Sequence, residues 1–125
     1  MTSAKGYVPG RHKIDDYGAG FFRFAGMSHR GSVLALPTGV RAISIAQAAD
    51  IDAALLDDAL ADSGGLDILL IGMGKDVLLL PTALRARLRE AGVGCEAMAT
   101  GAAVRTYNLL VDEDRRVGAL LIAVE

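Results

Sequence analysis

Tryptophan is absent from this 125-residue chain, and cysteine occurs once, at Cys95. A single cysteine excludes an intrachain disulfide and any all-cysteine metal cage, and it fits a reducing, cytoplasmic compartment. A basic excess is also missing. Thirteen Lys and Arg stand against fifteen Asp and Glu, a net charge of −2, so the electrostatic footprint of a nucleic-acid binder is not there. Although 52% of the residues are hydrophobic, no apolar run approaches the roughly 20 residues that span a bilayer, and no direct membrane insertion is expected. Residues 1–11 hold Lys5, Pro9 and two glycines but neither the apolar stretch of a secretory signal nor the amphipathic, Arg-rich pattern of a transit peptide.

What is present reads as one domain of common size, with residues 1–10 as a flexible tail and 11–125 as a single α/β unit. The N-terminal third alternates like strands: Phe21, Phe22 and Phe24, then Val33, Leu34 and Leu36, punctuated by Gly18, Gly20, Gly26, Gly31, Pro37 and Gly39. Another strand is expected at 40–45. Asp52 then supplies an N-cap, with Ile51 placed to staple onto Leu56, for a helix over 53–61 that Gly64 and Gly65 end. Residues 66–72 (LDILLIG) are a nearly continuous apolar run, the mark of a buried parallel strand. Pro81 opens a second helix with Leu84 and Leu88 inward, and Gly92 closes it. A second buried strand is expected at 93–98, a third helix from a Thr100 cap to about Leu110, and a last apolar strand at 117–124. A β-rich start followed by β-α-β-α-β predicts a mixed sheet with helices packed on it.

The catalytic inventory is thin. Cys95 falls inside a strand, where a thiol is usually a small buried hydrophobe. His12 and His29 have no spaced partner for a metal, no serine sits in a nucleophile elbow, and Asp15-Asp16 and Asp57-Asp58 read as solvated faces rather than a tuned acid/base pair. No cofactor and no metal are expected, and an enzyme less than a binding protein.

Two segments remain as binding candidates. Ile71-Gly72-Met73-Gly74-Lys75 follows a buried strand where a phosphate-binding turn would begin, since glycines let backbone N–H groups approach an anion. The third glycine of a dinucleotide fingerprint is replaced by Val77, however, and no helix opens directly. The second segment, residues 98–110, places Ala102, Ala103, Thr106, Leu109 and Leu110 on one apolar stripe. Arg105 and Asn108, three apart, share a different face. If strands 66–72 and 93–98 are parallel neighbours, the glycine loop and the amino end of the Thr100 helix share one rim. Backbone amides, Lys75 and Arg105 would then make a notch for a small anion. The plainer alternative makes Thr100 only an N-cap, pairs Arg105 with a carboxylate such as Glu113, and uses Tyr107 and Asn108 to satisfy backbone groups.

Residues 29–37 (HRGSVLALP), Ile71-Gly72-Met73-Gly74, residues 98–110 with their Arg105-Thr106-Tyr107-Asn108 run, and the 113–121 segment together resemble one widespread domain family. It includes mitochondrial complex I assembly factor 3, and the likeness runs from about Arg11 to Val124. The resemblance implies a three-layer α/β fold: a central mixed five-stranded sheet, helices on one face and a small β layer on the other. It further implies a non-enzymatic, assembly-factor-like interaction protein with a protein partner, here a prokaryotic member. Many members carry a cysteine where this chain has Val104, so no thiol works at that place. The rival expectation is an anion- or nucleotide-binding domain built on Gly72, Gly74, Lys75 and Thr100. Edge strands of a short sheet also leave room for a homodimer.

Overall fold

A computed structural model describes residues 6–62 and 64–125. The first folded layer is a small antiparallel meander of β2 (Asp16–Gly18), β3 (Phe21–Phe24) and β4 (Met27–Arg30), which follows the edge strand β1 (Tyr7–Pro9). Its two hairpin loops are Ala19-Gly20 and Ala25-Gly26, and all four residues have positive φ (51°, 85°, 53° and 75°). Positive φ at both loop positions is the primed turn that matches the right-handed strand twist. Alternation does the rest: Phe22 and Phe24 are buried while Arg23 between them is exposed.

The main sheet has six strands in the order β1-β6-β5-β9-β7-β8, where β5 is Val33–Leu36, β6 Gly39–Ala42, β7 Ile68–Gly72, β8 Gly94–Met98 and β9 Val117–Leu121. β1, β6, β5 and β9 pair antiparallel, whereas β7 runs parallel to both β8 and β9. The mixed sheet and small β layer therefore match expectation, with one strand more than five. That extra strand is β1, so residues 7–9 are not tail. Tyr7 pairs with Arg41 and Pro9 with Gly39, and the following segment is tied down by Arg11–Asp114 (3.1 Å) and Lys13–Asp112 (2.9 Å) ion pairs. Residues 1–5 lie outside the described residues.

Among the described residues three α-helices complete the layers: α1 (Ala53–Leu60), α2 (Thr82–Glu90) and α3 (Thr100–Asp112). Asp52 caps α1, its side chain accepting from the Leu55 amide at 2.9 Å. Gly92, with φ of 75°, ends α2 through its amide to the Arg89 carbonyl. The helices do not all share one face. α1 and α2 pack on Leu34, Leu36, Leu69, Ile71 and Leu120, while α3 joins the small sheet on Val33, Ala35, Leu70, Ala119 and Leu121. The cause is topological. The chain moves outward from β7 to β8, then back across β7 to β9, and crossovers of one hand travelling in opposite directions must use opposite faces. β5, β7 and β9 are consequently covered on both sides, which is why their sequences read as continuous apolar runs. β8 departs from expectation. As the terminal strand of the sheet it is largely exposed at Gly94, Glu96 and Ala97.

Candidate functional site

β7 and β8 are parallel neighbours, with Gly72 level with Met98. Their outgoing loops turn to opposite faces, the arrangement that in open α/β sheets leaves a ligand crevice at the carboxyl ends of the strands. The shared rim thus exists, but it is closed by its own hydrogen bonds. The Met73 amide donates to the Met98 carbonyl at 2.8 Å, and the Thr100 amide to the Gly74 carbonyl at 3.0 Å. The Thr100 hydroxyl accepts from the Gly74 amide at 2.9 Å and donates to the Ile122 carbonyl at 2.7 Å. Thr100 is therefore no N-cap: it is the first residue of α3, Ala99 stands in the cap position, and no side chain caps the helix. Its wholly buried side chain sutures the glycine loop to the end of β9.

The two loop glycines serve different ends. A Cβ on Gly72 would lie 3.0 Å from both the Ala103 Cβ and the Thr100 Cα, so glycine there admits the close descent of α3 onto β7. Gly74 has room for a side chain but adopts φ of 82°, a backbone state that disfavours one. The first turn of α3 is covered as well, because the Tyr17 hydroxyl occupies the space that a Cβ on Gly101 would need.

The polar residues of α3 separate instead of converging. Asn108 behaves as a strand partner for Ile14, accepting its amide at 2.9 Å and donating to its carbonyl at 2.8 Å. The Tyr107 hydroxyl donates to the His12 carbonyl at 2.8 Å, and burial pushes its phenol up to about 12, with Arg11 opposing. Both residues hold the 12–14 segment on the helix. Arg105 is exposed and forms no ion pair with Glu113 or any other carboxylate among the described residues. Lys75 is exposed on the loop beyond Gly74. The rim brings Gly72, Gly74 and Thr100 together and leaves Lys75, Arg105, Tyr107 and Asn108 outside it.

The other chemical candidates are structural. The Cys95 thiol is pushed up first by burial and then by the Glu96 charge, with Arg85 pulling the other way, the opposite of an activated thiolate. Asp57 pairs with Arg87 at 2.9 Å and Asp58 with Arg41 at 3.6 Å. No group of three metal-ligating side chains assembles among the described residues, and no helix among them is long and apolar enough to cross a membrane.

An exposed apolar segment lies just past the closed rim. Val77, Leu78 and Leu79 are 51%, 50% and 80% exposed. They stand in a loop pinned at both ends by buried Met73 and Leu80, with the Met73 sulfur accepting the Leu78 amide at 3.3 Å. Together with Arg89, Cys95 and Ala97 they line a groove of about 760 Å³ along the open edge of β8. In the sequence, residues 77–80 counted only as the stretch that keeps a helix from opening directly after the glycine loop. The available signal was four consecutive apolar residues between a glycine turn and Pro81, in a stretch with neither strand alternation nor helical spacing.

A family signature described as proteins of unknown function (DUF498/DUF598) matches residues 14–122. The chain belongs to that family. Among its relatives is an uncharacterised protein of Rhodobacter capsulatus, 44% identical over 109 residues that cover 87% of this chain and 82% of that one. A crystal structure of an outer membrane protein from Bartonella henselae superposes with a TM-score of 0.88 at 47% identity, covering 94% of this chain and 98% of that one. A solution structure from Bordetella pertussis, described as an Mth938-like domain, gives 0.79 at 28% identity, covering 98% and 92%. The DUF498 assignment fixes the fold and the bacterial kinship; the complex I connection is a separate matter.

Proposed function

We propose that this DUF498 chain is a non-enzymatic interaction protein, acting in the cytoplasm to assemble or stabilise a partner complex. The observation that carries the reading is the Val77-Leu78-Leu79 shelf, apolar, exposed and held between two buried anchors. Pinned apolar surface of this kind is a mark of a contact site. The closed rim supports the same reading, because its Met73, Gly74 and Thr100 amides already donate to carbonyl and hydroxyl oxygens of the chain. Resemblance to the mitochondrial complex I assembly factor makes a respiratory or other membrane-bound enzyme the class of client, and the Bartonella relative described as an outer membrane protein points toward membranes too. A client embedded in a bilayer asks for no spanning helix in its helper.

Affinity capture from the native host tests this, using the wild-type chain beside Leu79→Asp. Leu79 is 80% exposed, so the variant folds normally. We expect at least one stoichiometric partner with the wild type and its loss with Leu79→Asp. Recovery of the bait alone, or a partner indifferent to Leu79→Asp, refutes the proposal.

A further inference from the structure

We infer that the open edge of β8 is a docking strand for an extended segment of a different protein, one bearing apolar and acidic side chains on the same face. The inference rests on the interaction reading above and specifies its partner and geometry. Along a strand, the N–H and C=O of successive residues point alternately to either side. The Gly94 amide donates inward to Asp67 and the Met98 carbonyl accepts inward from Met73, so Gly94, Glu96 and Met98 address β7. The N–H and C=O of Cys95 and Ala97 therefore face the open edge, two donors and two acceptors set to continue the sheet. Edges left in this state invite strand addition.

Side chains beside that edge select the occupant. Cys95 and Ala97 are small and lie on the α2 face, leaving the groove into which an added strand would project alternate residues. The groove is apolar at its Val77–Leu79 end and basic along α2, where Arg85 and Arg89 line it. Arg85 is held by the Leu80 carbonyl (3.0 Å) and the Thr82 hydroxyl (3.3 Å). Arg89 is exposed and has no ion pair among the described residues. Glu96 projects on the opposite face of the strand and does not neutralise them.

This charge pattern argues against a second copy. Two β8 edges joined about a two-fold axis would set Arg85 and Arg89 of each copy beside those of the other. In the register that pairs Cys95 with Ala97, Glu96 would also oppose Glu96. Like charges directly opposite on paired strands destabilise the pair. An acidic, apolar segment meets the same groove with opposite charge and matching shape.

The probe is a ten-residue peptide with threonine on one face and, on the other, valine at one end and glutamate at the other. Two controls replace its glutamates by lysine or N-methylate its amides. The single thiol gives one readout, the rate of Cys95 alkylation, and amide hydrogen exchange at Cys95 and Ala97 gives the second. We expect saturating acidic peptide to slow both at least tenfold, the two controls to leave them unchanged, and Arg89→Glu to weaken binding several-fold, more so at low salt. Equal protection by the lysine or N-methyl peptide overturns the inference, as does a dimer of the free chain that itself protects these amides. No protection by any peptide also overturns it. In that last case a captured partner still sensitive to Leu79→Asp would leave the broader interaction reading standing.

Discussion

Thr100→Val removes one oxygen from the centre of the molecule and keeps the side chain's shape. In the native chain that oxygen accepts from Gly74 at 2.9 Å and donates to Ile122 at 2.7 Å, with no exposure to water. Valine would lose two hydrogen bonds of about 1 kcal/mol each and leave a buried donor without a partner, so the expected cost is roughly 2–4 kcal/mol. For a chain of this size that lowers Tm by about 8–15 °C in calorimetry. Thr100→Ser keeps the hydroxyl and gives up one methyl, costing about 1 kcal/mol. Thr100→Asp separates the two roles most sharply. An N-cap threonine accepts aspartate with little change, whereas a wholly buried suture must desolvate a carboxylate and loses the donor to Ile122. Aspartate should therefore be at least as damaging as valine, and the Gly74 amide should exchange much faster in both variants. Stability within about 0.5 kcal/mol of wild type for Thr100→Val, or tolerance of aspartate, would refute the suture and restore the cap.

Other expectations follow from the same geometry. Ala25 holds φ of 53° in a primed turn, so Ala25→Asn should raise stability by roughly 0.5–1 kcal/mol in chemical denaturation and Ala25→Val should lower it. Gly72→Ala brings a methyl to 3.0 Å from Ala103 and Thr100, costing about 1–3 kcal/mol, and a double-mutant cycle with Ala103→Gly should recover part of the loss. The Tyr107 phenol rises from its ordinary 10.0 to about 12, so the unfolded chain releases that proton first. The associated stability, on the order of 2–3 kcal/mol, is complete below pH 10 and disappears between pH 10 and about 12; Tyr107→Phe should show no such alkaline slope. Millimolar phosphate or nucleotide should leave Tm within about 1 °C of the free chain, because the Met73, Gly74 and Thr100 amides already donate to protein oxygens, and a clear rise would return the Gly72–Thr100 rim to candidacy.

How much of this was legible in the sequence depended on whether the signal was local. Asp52 before an alanine- and leucine-rich run announced α1, and the two-sided burial of β7 was written in its unbroken aliphatics. The parallel pairing of β7 with β8, which the order of elements offered as the condition for a shared rim, is present. Three- and four-residue strands such as β1 and β4 leave too few alternations to show a period. Thr100 was misread because a threonine before a helical stripe looks the same whether its hydroxyl bonds its own helix or reaches Ile122, 22 residues away. Asn108 and Tyr107 were placed correctly on α3, but their backbone partners at Ile14 and His12 are more than 90 residues distant. Spacing along one helix carries no information about such contacts.

Closing the rim has a consequence for the surface. A chain leaving β7 normally uses its first residues as the wall of a ligand crevice. Here residues 72–74 are drawn inward onto Thr100, and the backbone must still cross to the α2 face before Pro81. Met73 and Leu80 are anchored on one core, leaving the residues between them to bridge the sheet's margin. Had that bridge been polar, it would be an ordinary solvated loop. With Val77, Leu78 and Leu79, which are 51%, 50% and 80% exposed, it keeps apolar surface in water at a standing cost of roughly 1–2 kcal/mol for each side chain that a partner could bury. The same crossover makes β8 the terminal strand, so the apolar bridge and the unpaired backbone necessarily arise side by side. The reversal at β8 thus accounts for the open edge and the groove beside it, while the Thr100 hydrogen bonds account for the closed rim. A variant that opens the rim without unfolding the chain should relax the loop and diminish the groove together.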